Sequence, residues 1–280
     1  MFSKAYRLNN FTVKIVSQSE FTTASKAIRF QKDDDVFDLT VEIFKNNEMP
    51  IVPDIASHDR RKYIWKYENI QHFLKKDEYN PSQFSYSIRE KNNCSLYFSD
   101  GLFPYISDLT ILESADLPSI LAENGQIILH SSYIITSQGD AILFSGPSGI
   151  GKSTQAGLWE KYAHAEIING DRCLIDTKAL TANGIFYSGS SNICKNRSAP
   201  LRSIIMLEQS DSNEIHRLRP LQAFGKILGQ SSYHKWFECS ATMMTGLVAE
   251  LVDKIPVYSL RCRPDELAVE LLRKVLYENK

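Results

Sequence analysis

Apolar residues recur with a period of two through the first part of the chain and with helical spacing toward its end. Phe11-Thr12-Val13-Lys14-Ile15-Val16 and Asp38-Leu39-Thr40-Val41-Glu42-Ile43-Phe44 alternate as half-buried strands do, and Ser95-Leu96-Tyr97-Phe98 reads as the strand that ends this part. Asp33-Asp34-Asp35 and Lys45-Asn46-Asn47-Glu48 have the polarity of solvated turns. The pattern predicts a small α+β unit over residues 1–105. Leu112 to Ala122 has helical spacing, and Pro118 favours a helix that starts at Leu117 with the proline in its first turn.

From residue 106 onward the pattern predicts an α/β unit reaching residue 280. Gln126-Ile127-Ile128-Leu129-His130-Ser131-Ser132-Tyr133-Ile134-Ile135-Thr136 is strongly β-prone, Ser137-Gln138-Gly139-Asp140 is a tight turn, and Asp140-Ala141-Ile142-Leu143-Phe144-Ser145 is a second, short apolar strand. Strands so closely joined form an antiparallel hairpin. A turn centred near Gln138-Gly139 puts His130 opposite Gly146 or Pro147. Ala165-Glu166-Ile167-Ile168 predicts a strand that ends at Asn169-Gly170-Asp171-Arg172. Cys173-Leu174-Ile175-Asp176 resumes a strand, Thr181-Ala182-Asn183-Gly184 reads as a turn, and Leu201 to Glu208 and Asn213 to Leu218 read as strands. Pro220 to Leu228 and Thr242 to Leu251 carry helical spacing, Ile255 to Leu260 is a strand, and Asp265 to Leu276 is an amphipathic last helix started by Pro264-Asp265.

The hairpin's second strand runs into Gly146-Pro147-Ser148-Gly149-Ile150-Gly151-Lys152-Ser153, followed by Thr154 and a helix-forming stretch. This fits G-x-x-x-x-G-K-[S/T], the phosphate-cradling P-loop. Its glycines let backbone N–H groups wrap phosphate oxygens, its lysine reaches the β- and γ-phosphates, and its hydroxyl can ligate Mg²⁺. A strand before the loop and a helix after it are the context the motif needs. The bland alternative is a Gly-rich turn with no ligand. An antiparallel neighbour sets this loop apart from common P-loop NTPases, whose loop leaves a parallel sheet.

Two side chains stand near the loop. His130 can contact a phosphate or orient an acid; it can equally fill a sheet face. Asp171, just past a strand, suits a Mg²⁺ ligand acting through water or a general base; Asn-Gly-Asp is also plain turn chemistry. Gly189-Ser190-Ser191-Asn192-Ile193-Cys194-Lys195-Asn196-Arg197 reads either as a substrate loop or as a surface connection.

Composition narrows the picture. Net charge is −1, which gives nucleic acid or an anionic membrane nothing to attract. No apolar run has membrane-spanning length, and the first residues lack the apolar core of a signal peptide. The five cysteines are scattered, with no C-x-x-C pair. Reduced thiols in the cytoplasm are expected, and no structural zinc.

With His130, the loop and Asp171 together, the chain resembles the C-terminal catalytic domain of HPr kinase/phosphorylase, whose fold is shared with the nucleotide core of phosphoenolpyruvate carboxykinase. The matching residues are Leu129-His130-Ser131, Gly146 to Ser153, and Gly170-Asp171. Asn-Gly-Asp-Arg and Gly-Ser-Ser-x-Ile-Cys bring it closer to bacterial kinase-like relatives of that group. The resemblance covers roughly residues 125–210 and implies a P-loop core with a mixed sheet and flanking helices. It implies ATP and Mg²⁺ as cofactors, with Lys152 on the β/γ-phosphates and Ser153 on the metal. Asp171 would be the acceptor of the substrate hydroxyl's proton, and His130 would lie near the transferred phosphate. Gly170 stands where the family has a first aspartate, and the family's Arg-Gly-Leu-Gly segment with its metal-binding glutamate is missing. Phosphorylase activity and the protein HPr as substrate are therefore not expected.

The expected function is an ATP-dependent kinase acting on a hydroxyl of a peptide, a protein or a small alcohol. The alternative is an ATP-binding regulatory module of the same fold without catalysis. A carboxykinase-like reaction ranks last, since no cluster of His and Lys ligands accompanies the loop. The HPr enzymes form hexamers, but the contacts they use are not readable in these residues, so an oligomer stays open.

Overall fold

A computed structural model describes residues 1–33 and 35–278. Asp34, read above as part of a solvated turn, lies outside the described residues. The chain divides into one unit of Met1–Leu121 with His234–Ala241 and another of Ala122–Tyr233 with Thr242–Lys280. The sequence pattern had put the boundary at residue 105.

Among the described residues the first unit is built on an eight-stranded sheet. Its strands are β1 (Phe2–Leu8), β2 (Phe11–Ser17), β3 (Leu39–Lys45), β4 (Ser57–Asp59), β5 (Lys62–Tyr67), β6 (Ile70–Lys76), β7 (Phe84–Glu90) and β8 (Asn93–Phe98), in the order β1-β2-β3-β8-β7-β6-β5-β4. The alternation in β2 and β3 does what it predicts: Val13, Ile15, Leu39, Val41 and Ile43 are buried. The strands between residues 57 and 90 were not foreseen. Lys62-Tyr63-Ile64-Trp65-Lys66-Tyr67 buries only Ile64 and Trp65, two neighbours rather than alternate positions, so its period is masked. The helix expected over 112–122 is two helices, α1 (Asp108–Ser114) and α2 (Leu117–Glu123). Ser107 caps α1 by accepting from Thr110 N, and Asp116 in the left-handed region (φ +61°) separates the two. Pro118 lies in the first turn of α2, where its missing N–H costs nothing.

The second unit comprises β9 (Gln126–Ile135), β10 (Ala141–Ser145), α3 (Lys152–Ala163), β11 (Glu166–Asn169), β12 (Arg172–Asp176), β13 (Thr181–Asn183), β14 (Ser198–Gln209), β15 (Glu214–Arg217), α4 (Pro220–Gln230), most of α5 (Glu238–Lys254), β16 (Val257–Cys262) and α6 (Glu266–Tyr277). The hairpin is antiparallel, from Ala141 opposite Ile135 to Ser145 opposite Ser131. Continued by one pair, this register sets His130 against Gly146, as the turn position predicts. Thr181–Asn183, read as a turn, is instead the short strand β13 between β12 and β14. Three residues flanked by Thr and Asn-Gly carry too little apolar pattern to show as a strand.

Two long strands organise this unit. β9 pairs antiparallel with β12 through Gln126–His130 and with β10 through Ser131–Ile135. β14 pairs with β13 at its start, then runs parallel to both β10 and β16. One face of the sheet packs Leu129, Tyr133, Leu143 and Met206 against Ile227 of α4 and Met244, Val248 and Leu251 of α5. The other packs Ile134, Ile142, Phe144 and Ile205 against Ala156 and Trp159 of α3 and Val269 and Leu272 of α6. Strands covered on both faces read as continuous apolar runs, which is why Ala141–Phe144 shows no alternation. The protein is thus of mixed α/β class, with large sheets and several helices. Among the described residues no helix is long and apolar enough to cross a membrane.

Candidate functional site

The loop of residues 146–151 joins β10 to α3. Gly149 and Gly151 have φ of +80° and +110°, conformations that a side chain would strain, and a Cβ at either would meet no atom within 4 Å. Their absent side chains serve the backbone path and leave open space above it. Gly151 is the N-cap of α3 and offers no side-chain cap. The first N–H groups of this helix therefore remain as donors for an anion, with the positive end of the helix dipole behind them. Lys152 is only 7% exposed. Its Nζ donates to the carbonyls of Gly146 (2.9 Å) and Pro147 (3.0 Å), so the ammonium is held folded over the loop.

Asp171 sits at the turn between β11 and β12. The buried Asn169 shapes that turn: its Oδ1 accepts from the N–H of Asp171 (2.9 Å) and of Arg172 (3.0 Å), while Nδ2 donates to the carbonyls of Ile185 and Tyr187. From β9, Ser131 N donates to Asp171 O and Ser132 Oγ to Gly170 O, both at 3.0 Å. The carboxylate is then oriented from two sides. His130 Nε2 is 3.2 Å from Oδ1 and Arg172 Nε is 3.3 Å from Oδ2, and Arg172 also donates to Ser232 Oγ at 2.7 Å. Side chains of His130 and Asp171 are 24% and 27% exposed, enough to meet a ligand.

These elements enclose a cavity of about 280 Å³ lined by residues that include His130, Lys152, Ser153, Thr154, Asp171 and Ser191. Ser148, Gly149, Gly151 and Gly170 also line it, whereas Gly146, Pro147 and Ile150 do not. The sequence singled out His130, Lys152, Ser153 and Asp171, and they share this one space. It missed the positioning roles of Asn169, Arg172 and Ser191. Arg172 was visible only as the neighbour of Asp171. Among the described residues no three His, Cys, Asp or Glu side chains cluster as a metal site. A magnesium ion here would rest on Ser153, Asp171 and the oxygens of its phosphate ligand, a donor set of hard oxygens that suits it.

No protein-family model matches the chain, and no curated protein does. Among solved structures, the Hpr(Ser) kinase/phosphatase from Coxiella burnetii is similar at 12% identity with a TM-score of 0.29, over 53% of this chain and 94% of that one.

Gly170 has no room for a side chain. A Cβ on Gly170 would lie 2.2 Å from Ser191 Oγ and 2.5 Å from its Cβ. Ser191 is fixed there, donating to Ser188 O at 2.8 Å and accepting from Ile193 N. Gly170→Asp is therefore expected to lower the melting temperature by several degrees, a cost of about 1–3 kcal/mol. Adding Ser191→Gly should recover most of that loss in a thermal melt. No recovery would refute the shared-space argument.

The imidazole of His130 is pushed toward its neutral form. Burial lowers its pKa below the ordinary 6.5, the Lys152 and Arg172 charges push it further down, and Asp171 opposes them. Because the folded value lies below the unfolded one, the stability this group adds is complete above about pH 6.5 and fades as pH falls through the folded value. Lys152→Ala removes a positive neighbour, so the imidazole should titrate at higher pH in that variant. An NMR titration of the His130 ring checks the direction; an unchanged or lower midpoint would contradict it.

Proposed function

We propose that this protein is an ATP-dependent kinase that transfers the γ-phosphate to a hydroxyl group. The observation that supports the reading is the convergence of an uncapped helix N-terminus, Lys152, Ser153, His130 and Asp171 on one cavity. Lys152 exchanges its hydrogen bonds with Gly146 and Pro147 for phosphate oxygens, and the α3 N–H groups hold the remaining charge. Ser153 and Asp171 would hold Mg²⁺, which would supply positive charge against the phosphates. Asp171 takes the proton of the acceptor hydroxyl as its oxygen bonds to the γ-phosphorus and the bond to the ADP oxygen breaks. His130, neutral with its Nε2 toward Asp171, keeps that carboxylate aimed, and Arg172 holds its other oxygen. Phosphoryl transfer asks mainly for this kind of positioning and charge neutralisation.

The acceptor is a serine or threonine of a peptide or protein, or a small alcohol, and we assign its selection to the first unit. The cytoplasm, with its ATP and Mg²⁺, is the compartment this reading requires. The test is ADP release from Mg·ATP by the full chain, offered a pool of serine, threonine, small alcohols and Ser/Thr peptides. Acceptor-dependent ADP supports the kinase. One observation favours a second reading: Gly170 has no room for the family's first aspartate beside Ser191. ATP bound tightly with no ADP formed over any acceptor would make the chain a nucleotide-binding regulatory module instead.

A further inference from the structure

A second cavity, of about 560 Å³, lies along the same loop. Gly149, Gly151 and Thr154 line both spaces, so the two are neighbours across the loop's last turn. Its volume falls within the range of small-molecule sites, about 300–1,000 Å³. Its chemistry is the reverse of the first cavity's. Lys152 and helix N–H groups face the smaller space, whereas the larger one is lined by Glu208 and Asp211 and by no lysine or arginine. Such a wall repels phosphate and attracts neutral groups rich in donors.

The details of that wall point the same way. Glu208 is already engaged, by Lys226 Nζ at 2.9 Å and Ser259 Oγ at 3.0 Å. Asp211 has no hydrogen-bond or ion-pair partner among the described residues and remains exposed at the rim. Gln155, 3% exposed, donates from Nε2 to Cys262 Sγ at 3.2 Å, and its Oε1 is buried without a partner. Cys262 and Gln155 both line the cavity, so a ligand N–H reaches Oε1 when the terminal amide turns and gives up its bond to Cys262. Gln209 Nε2 donates to Gly149 O at 3.3 Å, which ties this rim to the phosphate loop.

We propose that this cavity takes the nucleoside half of the nucleotide, with Asp211 accepting from the ribose hydroxyls and Gln155 meeting the exocyclic amine of adenine beside Cys262. The inference rests on the phosphate-site reading above and adds to it where the base goes and which residues choose it.

Cys262 is a built-in reporter. Cys94, Cys173 and Cys194 are buried, and Cys239 is exposed but removable as Cys239→Ser. In that background the alkylation of Cys262 by iodoacetamide is followed by mass spectrometry, with Mg·ATP or Mg·tripolyphosphate added at about ten times its Kd measured by calorimetry. ATP should slow Cys262 alkylation roughly tenfold and tripolyphosphate should not. Asp211→Ala should weaken ATP roughly tenfold and leave tripolyphosphate affinity unchanged. ATP that binds without slowing alkylation, or both ligands slowing it equally, overturns the proposal. So does Asp211→Ala with unaltered ATP affinity. If neither ligand binds, the phosphate-site reading itself fails and the nucleoside site falls with it.

Discussion

Lys152→Ala is expected to lower phosphotransfer by about 10²–10³-fold, the usual loss when one positioned donor is removed from developing charge. ATP affinity should fall as well, because this ammonium is the cation the phosphate loop itself brings to the cavity. Lys152 is nearly buried, and burial depresses its pKa while Asp171 supports the charged form. A cation so placed interacts with phosphate in a medium less polar than water, where its charge counts for more. The same side chain bridges the Gly146 and Pro147 carbonyls, so the variant's loop loses two internal hydrogen bonds. Circular dichroism should show an intact fold, because the core clusters on both faces of the sheet are built without Lys152. Near-normal turnover in a folded Lys152→Ala protein would remove the basis of the phosphate-site assignment.

The second large effect is expected from Asp171→Asn. The amide keeps the shape of the carboxylate, but its single oxygen accepts from only one of His130 and Arg172, and it has no basic oxygen to take a proton. A general base is worth about 10²–10⁴ in rate, so turnover should fall within that range. Nucleotide affinity should change less than in Lys152→Ala, since the loop and the α3 N–H groups are untouched, and Ser153 and the amide oxygen remain as neutral donors for Mg²⁺. The two variants thus separate binding from chemistry: one damages both, the other mainly kcat. Single-turnover ADP formation with saturating acceptor is the measurement. A folded Asp171→Asn protein with undiminished turnover would move the base to another group.

Parts of this site were legible in the sequence because they depend on local rules. A strand, a Gly-rich loop and a helix start are all contiguous, and the hairpin turn at Gln138-Gly139 fixed the register that brings His130 to the loop. Asp171 followed from a strand ending in turn chemistry. What stayed hidden depends on distant segments. Ser191 reaches Gly170 across the β11–β12 turn, and no local pattern in Gly189-Ser190-Ser191 records that approach. Asn169 looked like a turn former, which it is, but its bonds to Ile185 and Tyr187 come from a later connection. β13 was lost because three polar-flanked residues carry no period. The first unit was underread for a related reason: its later strands bury aromatic and apolar residues unevenly, so alternation fails as a signal there.

The placement of His130 on β9 bears on how the site opens in time. Interior strands with partners on both sides exchange their amide hydrogens only in the largest openings, while loops held by a few bonds exchange in small ones. The His130–Asp171 edge of this cavity is set by β9 and the turn it holds, whereas Ser191 belongs to a connection outside the sheet ladder, tied by Lys195 N–H to Ile168 O, by the Lys195 and Arg197 ion pairs with Glu166 and by the bridge between Asn169 and Cys194. Deuterium should therefore enter the 189–197 segment long before the interior of β9. A cavity with one slow wall and one fast wall can admit and release a ligand many times without disturbing the side chains fixed on the slow wall.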